Sequence, residues 1–183
     1  MFLPGAAARA CLPDGGGSPD ADGPASGWAV FPGADGAELA FRVEGYEFPD
    51  TTDAQNPDSQ WLVIHARLRS PGGASAEFTD PCLRLAEARA LASWLFALAC
   101  APNGGLPADG STFLGFAEPL LALGLRDVLE DEVLLGVICP DPDEEPRLPA
   151  GWPEPLECAI PRAGLLEAAR LISAQLDALP PRR

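Results

Sequence analysis

The run Gln60–Arg69, QWLVIHARLR, alternates with a strict period of two. Leu62, Ile64, Ala66 and Leu68 fall on one side; Trp61, Val63, His65, Arg67 and Arg69 fall on the other. A helix turns 100° per residue and cannot gather every second side chain on one face, so this run is a strand. One side is apolar and the other carries His and Arg, so only one face is buried. Half-buried strands belong to antiparallel sheets, because strands of a parallel sheet are covered on both faces. The rest of the chain must therefore supply antiparallel partners for one face and a cover for the other.

Partners are present on both sides of that strand. Upstream, ELAFRVEGYEF alternates Leu39, Phe41 and Val43, then resets its phase at Gly45 to Tyr46 and Phe48. A glycine where alternation slips predicts a β-bulge. WAVF, from Trp28, predicts a short strand ended by Pro32 and the Gly33–Gly36 turn, and PDTTDAQNPDS predicts a loop. Downstream, PGG turns the chain and ASAEFT returns as a short strand. FLGFAEPLLALGL and EVLLGVICP predict two further strands joined through RDVLEDE, and LECAI predicts the last.

Two helices supply the cover. Leu91, Trp94, Leu95 and Leu98 recur at three- and four-residue spacing, and from about Arg162 so do Leu165, Ala169, Ile172, Leu176 and Leu179, up to Pro180. The order is strands, helix, strands, helix, with few βαβ units. This predicts an α+β fold, a mainly antiparallel β-sheet with two amphipathic helices packed on one face. Residues 1–26 are rich in Gly, Pro and Ala and lack periodicity, so they read as an irregular arm before a single domain over 27–183.

The chain has 183 residues and a formal net charge of −15, and its basic residues are all Arg. Such a charge repels nucleic acid and anionic lipid and attracts basic partners. No run reaches the roughly 18 apolar residues a membrane span needs, and the N-terminus reads as no signal peptide, so a cytoplasmic location is expected. Cys11, Cys82, Cys100, Cys139 and Cys158 are odd in number and widely spaced, which suits free thiols better than a disulfide framework. With His65 the sole histidine and no cysteine near it, no zinc site and no cofactor is expected.

Asp80-Pro81-Cys82 is the stretch closest to catalytic chemistry. Asp80 reads as an N-cap, Pro81 as the first helical residue and Cys82 as a thiol in the first turn, where the helix dipole favours a thiolate. A nucleophile also needs a base, and His65 is the sole imidazole. The expected role of Cys82 is structural, as a small buried hydrophobe. The alternative is a small ligand-binding protein or enzyme that uses a sheet–helix pocket with Cys82 and His65.

Three acidic groups stand out in loops: Asp50, Asp53 and Asp58; Glu130, Asp131 and Glu132; and Asp141, Asp143, Glu144 and Glu145. Each reads either as a solvated loop or as part of a surface complementary to a basic protein. Trp61 and Trp152 lie near them and are of the type that anchors interfaces.

GYEFPD, the strand beginning Trp61-Leu62-Val63, FTDPCL leading into a helix with ASWLFAL, and FLGFAEPLLAL follow one another in that order. This arrangement, over roughly Leu39 to Leu125, resembles the WapI-type immunity proteins of bacterial contact-dependent and polymorphic toxin systems. The C-terminal strand and helix match more loosely. The resemblance implies a non-enzymatic cytoplasmic protein that binds and neutralises one cognate toxin domain, often a nuclease. The resemblance carries over no catalytic residue. A toxin whose own site is basic would meet the acidic groups named above, which are inferred from charge.

Overall fold

The computed structural model describes residues 27–33, 36–70, 72–73, 75–103, 105–107, 110–116, 122–138 and 156–183. The N-terminal arm, the acidic group at Asp141, Asp143, Glu144 and Glu145, and Trp152 lie outside these residues.

Four strands form the first sheet: β1 (Ala29–Pro32), β2 (Glu38–Tyr46), β3 (Trp61–Arg69) and β4 (Ser75–Arg84), in that spatial order and all antiparallel. The second sheet has the order β5 (Phe113–Gly115), β6 (Ala122–Val128), β7 (Glu132–Ile138) and β8 (Leu156–Pro161), again antiparallel. Helices α1 (Leu85–Ala99) and α2 (Arg162–Asp177) complete the fold. The α+β class and antiparallel pairing read from the sequence hold. The division of the strands between two sheets is a feature the periodicity alone does not reveal.

The edges of β1 and β8 meet at an antiparallel bridge between Gly33 and Cys158. A Cβ on Gly33 would lie 2.7 Å from the Glu157 carbonyl oxygen and 2.8 Å from the Ala37 Cβ, so the junction needs a glycine. On β3 the alternation is realised residue by residue, with Leu62, Ile64, Ala66 and Leu68 all buried. Phe31 and Phe41 stack beside them with ring centroids 5.5 Å apart. Leu135, Val137, Cys158 and Ile160 bring the second sheet into the same core.

Both helices face that core with the expected stripes. Leu91, Trp94, Leu95 and Leu98 on α1 are buried, as are Leu165, Ala169, Ile172 and Leu176 on α2. The helices pack on each other; α2 lies against β1, β2 and β8, and α1 against β4. Gln175 stitches α2 to the first sheet. Its Oε1 accepts the Val43 N–H at 2.9 Å, beside the bulge between Val43 and Gly45, and its Nε2 donates to the Gly27 carbonyl.

The expected helix start at Asp80-Pro81-Cys82 is not where α1 begins. These residues continue β4, with Ile64 opposite Asp80 and Val63 opposite Pro81. An Asp-Pro pair suits an edge strand as well as a helix start: among the described strands β4 is outermost, and a proline whose nitrogen faces away from β3 costs no ladder hydrogen bond. The register then jumps, Leu62 pairing with Leu83, which leaves Cys82 as the extra residue of a bulge. α1 starts three residues later, where Glu87 Oε2 accepts the Arg84 N–H at 2.7 Å. The return strand is thus ten residues long, not the short ASAEFT segment.

The expected strand FLGFAEPLLALGL is also divided. β5 covers Phe113–Gly115, and β6 begins at Ala122 and runs on through Arg126 and Asp127 to Val128. Pro119 within that run has no N–H for a ladder. At the other end, a bulge between Leu125 and Asp127 breaks the two-residue period that would have marked the extension.

Candidate partner-binding surface

The acidic group at Glu130, Asp131 and Glu132 lies at the β6–β7 hairpin. The Leu129 N–H donates to the Glu132 carbonyl at 2.9 Å and closes the turn. Arg162, the first residue of α2, fixes that turn from behind. Its backbone N–H donates to the Asp131 carbonyl at 3.1 Å, its Nε to the Glu130 carbonyl at 2.9 Å and its Nη2 to the Leu129 carbonyl at 2.9 Å. The same guanidinium reaches the C-terminal end of α1, where Nη1 donates to the carbonyls of Ala99 at 3.0 Å and Ala101 at 2.6 Å. A cation there also complements the helix dipole. The turn's carbonyls are thus consumed inward, while Glu130 and Asp131 stand exposed and Glu132 half-exposed.

Asp50, Asp53 and Asp58 lie exposed in the loop between β2 and β3. The loop is built by short-range capping: Asp53 Oδ1 accepts the Gln55 N–H at 2.9 Å, and Asn56 Oδ1 accepts the Asp58 N–H at 3.0 Å. The chain beyond α2 ties it down. Arg182 lies over the Tyr46 ring, 3.6 Å from its centroid, and donates to the carbonyls of Phe48, Pro49 and Thr51. The Arg183 N–H donates to the Thr52 carbonyl at 2.9 Å, and its carbonyl accepts from Ala54 at 2.8 Å.

These two groups sit at opposite ends of α2. Arg162 at its start holds the hairpin, and the residues just past its end hold the Asp50–Asp58 loop. Sixteen helical residues separate them, roughly 24 Å at 1.5 Å per residue. The two groups are therefore separate patches on the described surface.

Cys82 and His65 are not brought together. Cys82 is buried in the core among Leu62, Leu83 and their neighbours, whereas His65 points to the opposite, outer face of the first sheet. On that outer face the Trp28 ring carries Arg67 at 3.9 Å and Arg42 at 4.8 Å, with His65 edge-on at 4.9 Å. His65 Nδ1 lies 3.3 Å from Glu44 Oε1, and its Nε2 lies 2.5 Å from Glu77 Oε1. Sequence reasoning placed His65 and Arg67 on one face but missed Trp28 as their platform; one more step of alternation before Ala29 would have put it there.

The thiols follow burial. Cys82 and Cys158 are buried and Cys100 is exposed, and none of the three is in a disulfide. Burial pushes the Cys158 thiol up to about 12, despite a hydrogen bond with the Leu39 backbone that works the other way. Among the described residues no three His, Cys, Asp or Glu side chains group as metal ligands, and no described helix is long and apolar enough to cross a membrane.

A family model described as the immunity protein WapI-like family matches residues 30–180. Neither the curated proteins nor the solved structures contain a match to this chain.

Proposed function

The chain belongs to the WapI-like immunity protein family, and on that premise we propose that it binds and neutralises one cognate bacterial toxin domain by non-catalytic protein–protein contact in the cytoplasm. The family match from residue 30 to residue 180 carries this reading. The charge gives it a physical form. A net charge of −15 raises the encounter rate with a basic partner, and a nuclease domain, whose own site must hold phosphates, is such a partner. The contact runs chiefly through Glu130, Asp131 and Glu132 and through Asp141, Asp143, Glu144 and Glu145, with the Asp50, Asp53 and Asp58 loop as a lesser area. At the hairpin the backbone is fixed by Arg162, so the carboxylates are presented without a large ordering cost.

The test is co-expression. The toxin domain encoded beside the gene is produced in a heterologous host with and without this protein. Rescue of growth, together with a purified one-to-one complex, is the expected outcome. Undiminished toxicity with no measurable complex would remove the immunity reading.

A further inference from the structure

Two glycines face each other across the middle of the second sheet, Gly124 on β6 opposite Gly136 on β7, and the row continues to Phe113 on β5 and Glu157 on β8. Directly opposed residues share a face. Leu123, Leu135 and Cys158, their neighbours in sequence, lie in the core, so this row is on the outer face. A glycine inside a strand marks a place where something lies close on the backbone. Here two side chains do so. The Phe113 ring lies 3.8 Å from where a Cβ on Gly124 would stand and 3.0 Å from one on Gly115, and Arg126 Nε lies 2.8 Å from one on Gly136. The glycines thus let an aromatic ring and a guanidinium lie flat on the sheet. The ring is 57% exposed all the same. Leu134 and Ala159, paired in a neighbouring row, are half-buried on the same face.

We propose that the outer face of the second sheet, from Phe113 to the β6–β7 hairpin, seats the toxin domain, which meets it with exposed Arg and Lys side chains. This rests on the immunity reading and extends the hairpin contact onto the strands behind it. The charge is on the face itself. Register puts Asp127, Glu132 and Glu157 outward beside Arg126, and Glu130 and Asp131 stand at the hairpin end. Asp127 accepts the Val128 N–H at 2.8 Å, and among the described residues none of these five carboxylates is in an ion pair. Even with Arg162 counted behind the hairpin, five carboxylates stand against two guanidiniums. The apolar part of the face gives incoming cations a place to lie. Long basic side chains bury their stems on apolar surface, and a cation over the open Phe113 ring adds cation–π attraction. The ring is already held flat, so little ordering is needed on binding. The same sign of charge opposes nucleic acid and a second copy of this chain.

Binding of the purified, catalytically inactivated toxin domain encoded beside the gene is measured for the wild type, Phe113→Ala, Glu157→Arg and Phe96→Ala, alongside thermal melts. Phe96 is the matched control, 54% exposed but on α1. All three variants are expected to fold. Phe113→Ala should bind at least tenfold more weakly, as a truncated aromatic anchor does. Glu157→Arg should associate roughly two- to threefold more slowly, and Phe96→Ala should bind like the wild type. In case Phe113→Ala does not fold, hydroxyl-radical footprinting of the wild-type complex gives a second readout, with Phe113 protected and Phe96 not. Wild-type binding in folded Phe113→Ala or in Glu157→Arg, or protection of Phe96 in place of Phe113, overturns the docking face and leaves the immunity reading standing. Absence of any wild-type complex overturns both. Sedimentation showing a wild-type dimer that Phe113→Ala dissolves assigns the face to a second copy and also overturns the proposal.

Discussion

Arg162 Nη1 stands 2.6 Å from the carbonyl oxygen of Ala101, just past the end of α1, although Arg162 itself opens α2. One guanidinium thereby joins the end of the first helix, the start of the second and the β6–β7 turn. Replacing it with Ala orphans carbonyls in two of these places, at the end of α1 and in the turn. Hydrogen bonds to a charged group are worth roughly 1.5–3 kcal/mol each and are not additive, so Arg162→Ala is expected to cost about 2–4 kcal/mol. Arg162→Lys should recover only part of this, because an ammonium lacks the planar fork. Denaturant unfolding measures both, and a loss under about 0.5 kcal/mol for the Ala variant would mean that water replaces the clamp.

Gln175 makes a similar connection on the other side of α2. Gln175→Leu keeps the volume but leaves the Val43 N–H at the bulge without its acceptor. An unsatisfied buried donor costs about 1–3 kcal/mol. Gln175→Glu keeps an acceptor for Val43 and loses the donor to the Gly27 carbonyl, so it should cost less than Leu. Equal stabilities for the two variants would show that the bond to Val43 is unimportant.

Leu95 is fully buried where α1 faces the sheets. Leu95→Ala is expected to destabilise by about 2–5 kcal/mol, the range for a deleted leucine whose cavity does not collapse. Phe96, its neighbour in sequence, is 54% exposed, and Phe96→Ala should stay within about 0.5 kcal/mol. The contrast between adjacent positions, read from chemical denaturation, tests the assignment of the helix face.

What the sequence makes legible is period; what it hides is pairing. Leu62 to Leu68, Leu91 to Leu98 and Leu165 to Leu176 were readable because burial writes a two- or 3.6-residue repeat directly into composition. The helix start at Asp80 was misread because a capping signal is local, whereas the alternative, a ladder onto β3, is made by residues about 17 positions away (Ile64 opposite Asp80 to Val63 opposite Pro81). The same holds at Arg126 and Asp127, where a bulge scrambles the alternation. Asp50, Asp53, Asp58 and Glu130 to Glu132 were recognisable as exposed acids, yet nothing in their spacing places them at opposite ends of α2. That arrangement comes from Arg162 and Arg182, whose partners are backbone carbonyls and leave no mark on sequence pattern.

Cys158 gives the fold a pH dependence with a definite sign. Its pKa is raised from 9.0 to about 12 by burial, so the folded protein keeps the proton after the unfolded chain has lost it. The stabilising contribution is complete below about pH 9 and is lost progressively as pH rises toward 12. Cys158→Ala should therefore flatten the decline in stability across that window, seen in melts at a series of pH values. Thiol labelling at neutral pH gives an independent check: exposed Cys100 should react first, and Cys158 only as the protein unfolds. A decline as steep in Cys158→Ala as in the wild type would assign it to other groups.

The last prediction separates steering from contact. Glu130, Asp131 and Glu132 sit on a hairpin whose carbonyls are held by Arg162, so reversing them to Arg alters the field without touching those bonds. The change swings the net charge by six units, and association with a basic toxin domain should slow, with a smaller change in dissociation. Reversing Asp50, Asp53 and Asp58 makes the same six-unit change at the other end of α2. If long-range steering alone operates, the two triple variants slow association equally. If the hairpin is in the contact, its variant also dissociates faster and the loop variant does not. Raising salt, which brings the screening length below about 8 Å, should compress the association difference and leave any difference in dissociation in place. Stopped-flow association and surface-based dissociation measurements decide it, and two variants indistinguishable from the wild type in both rates would remove the acidic groups from the binding reaction.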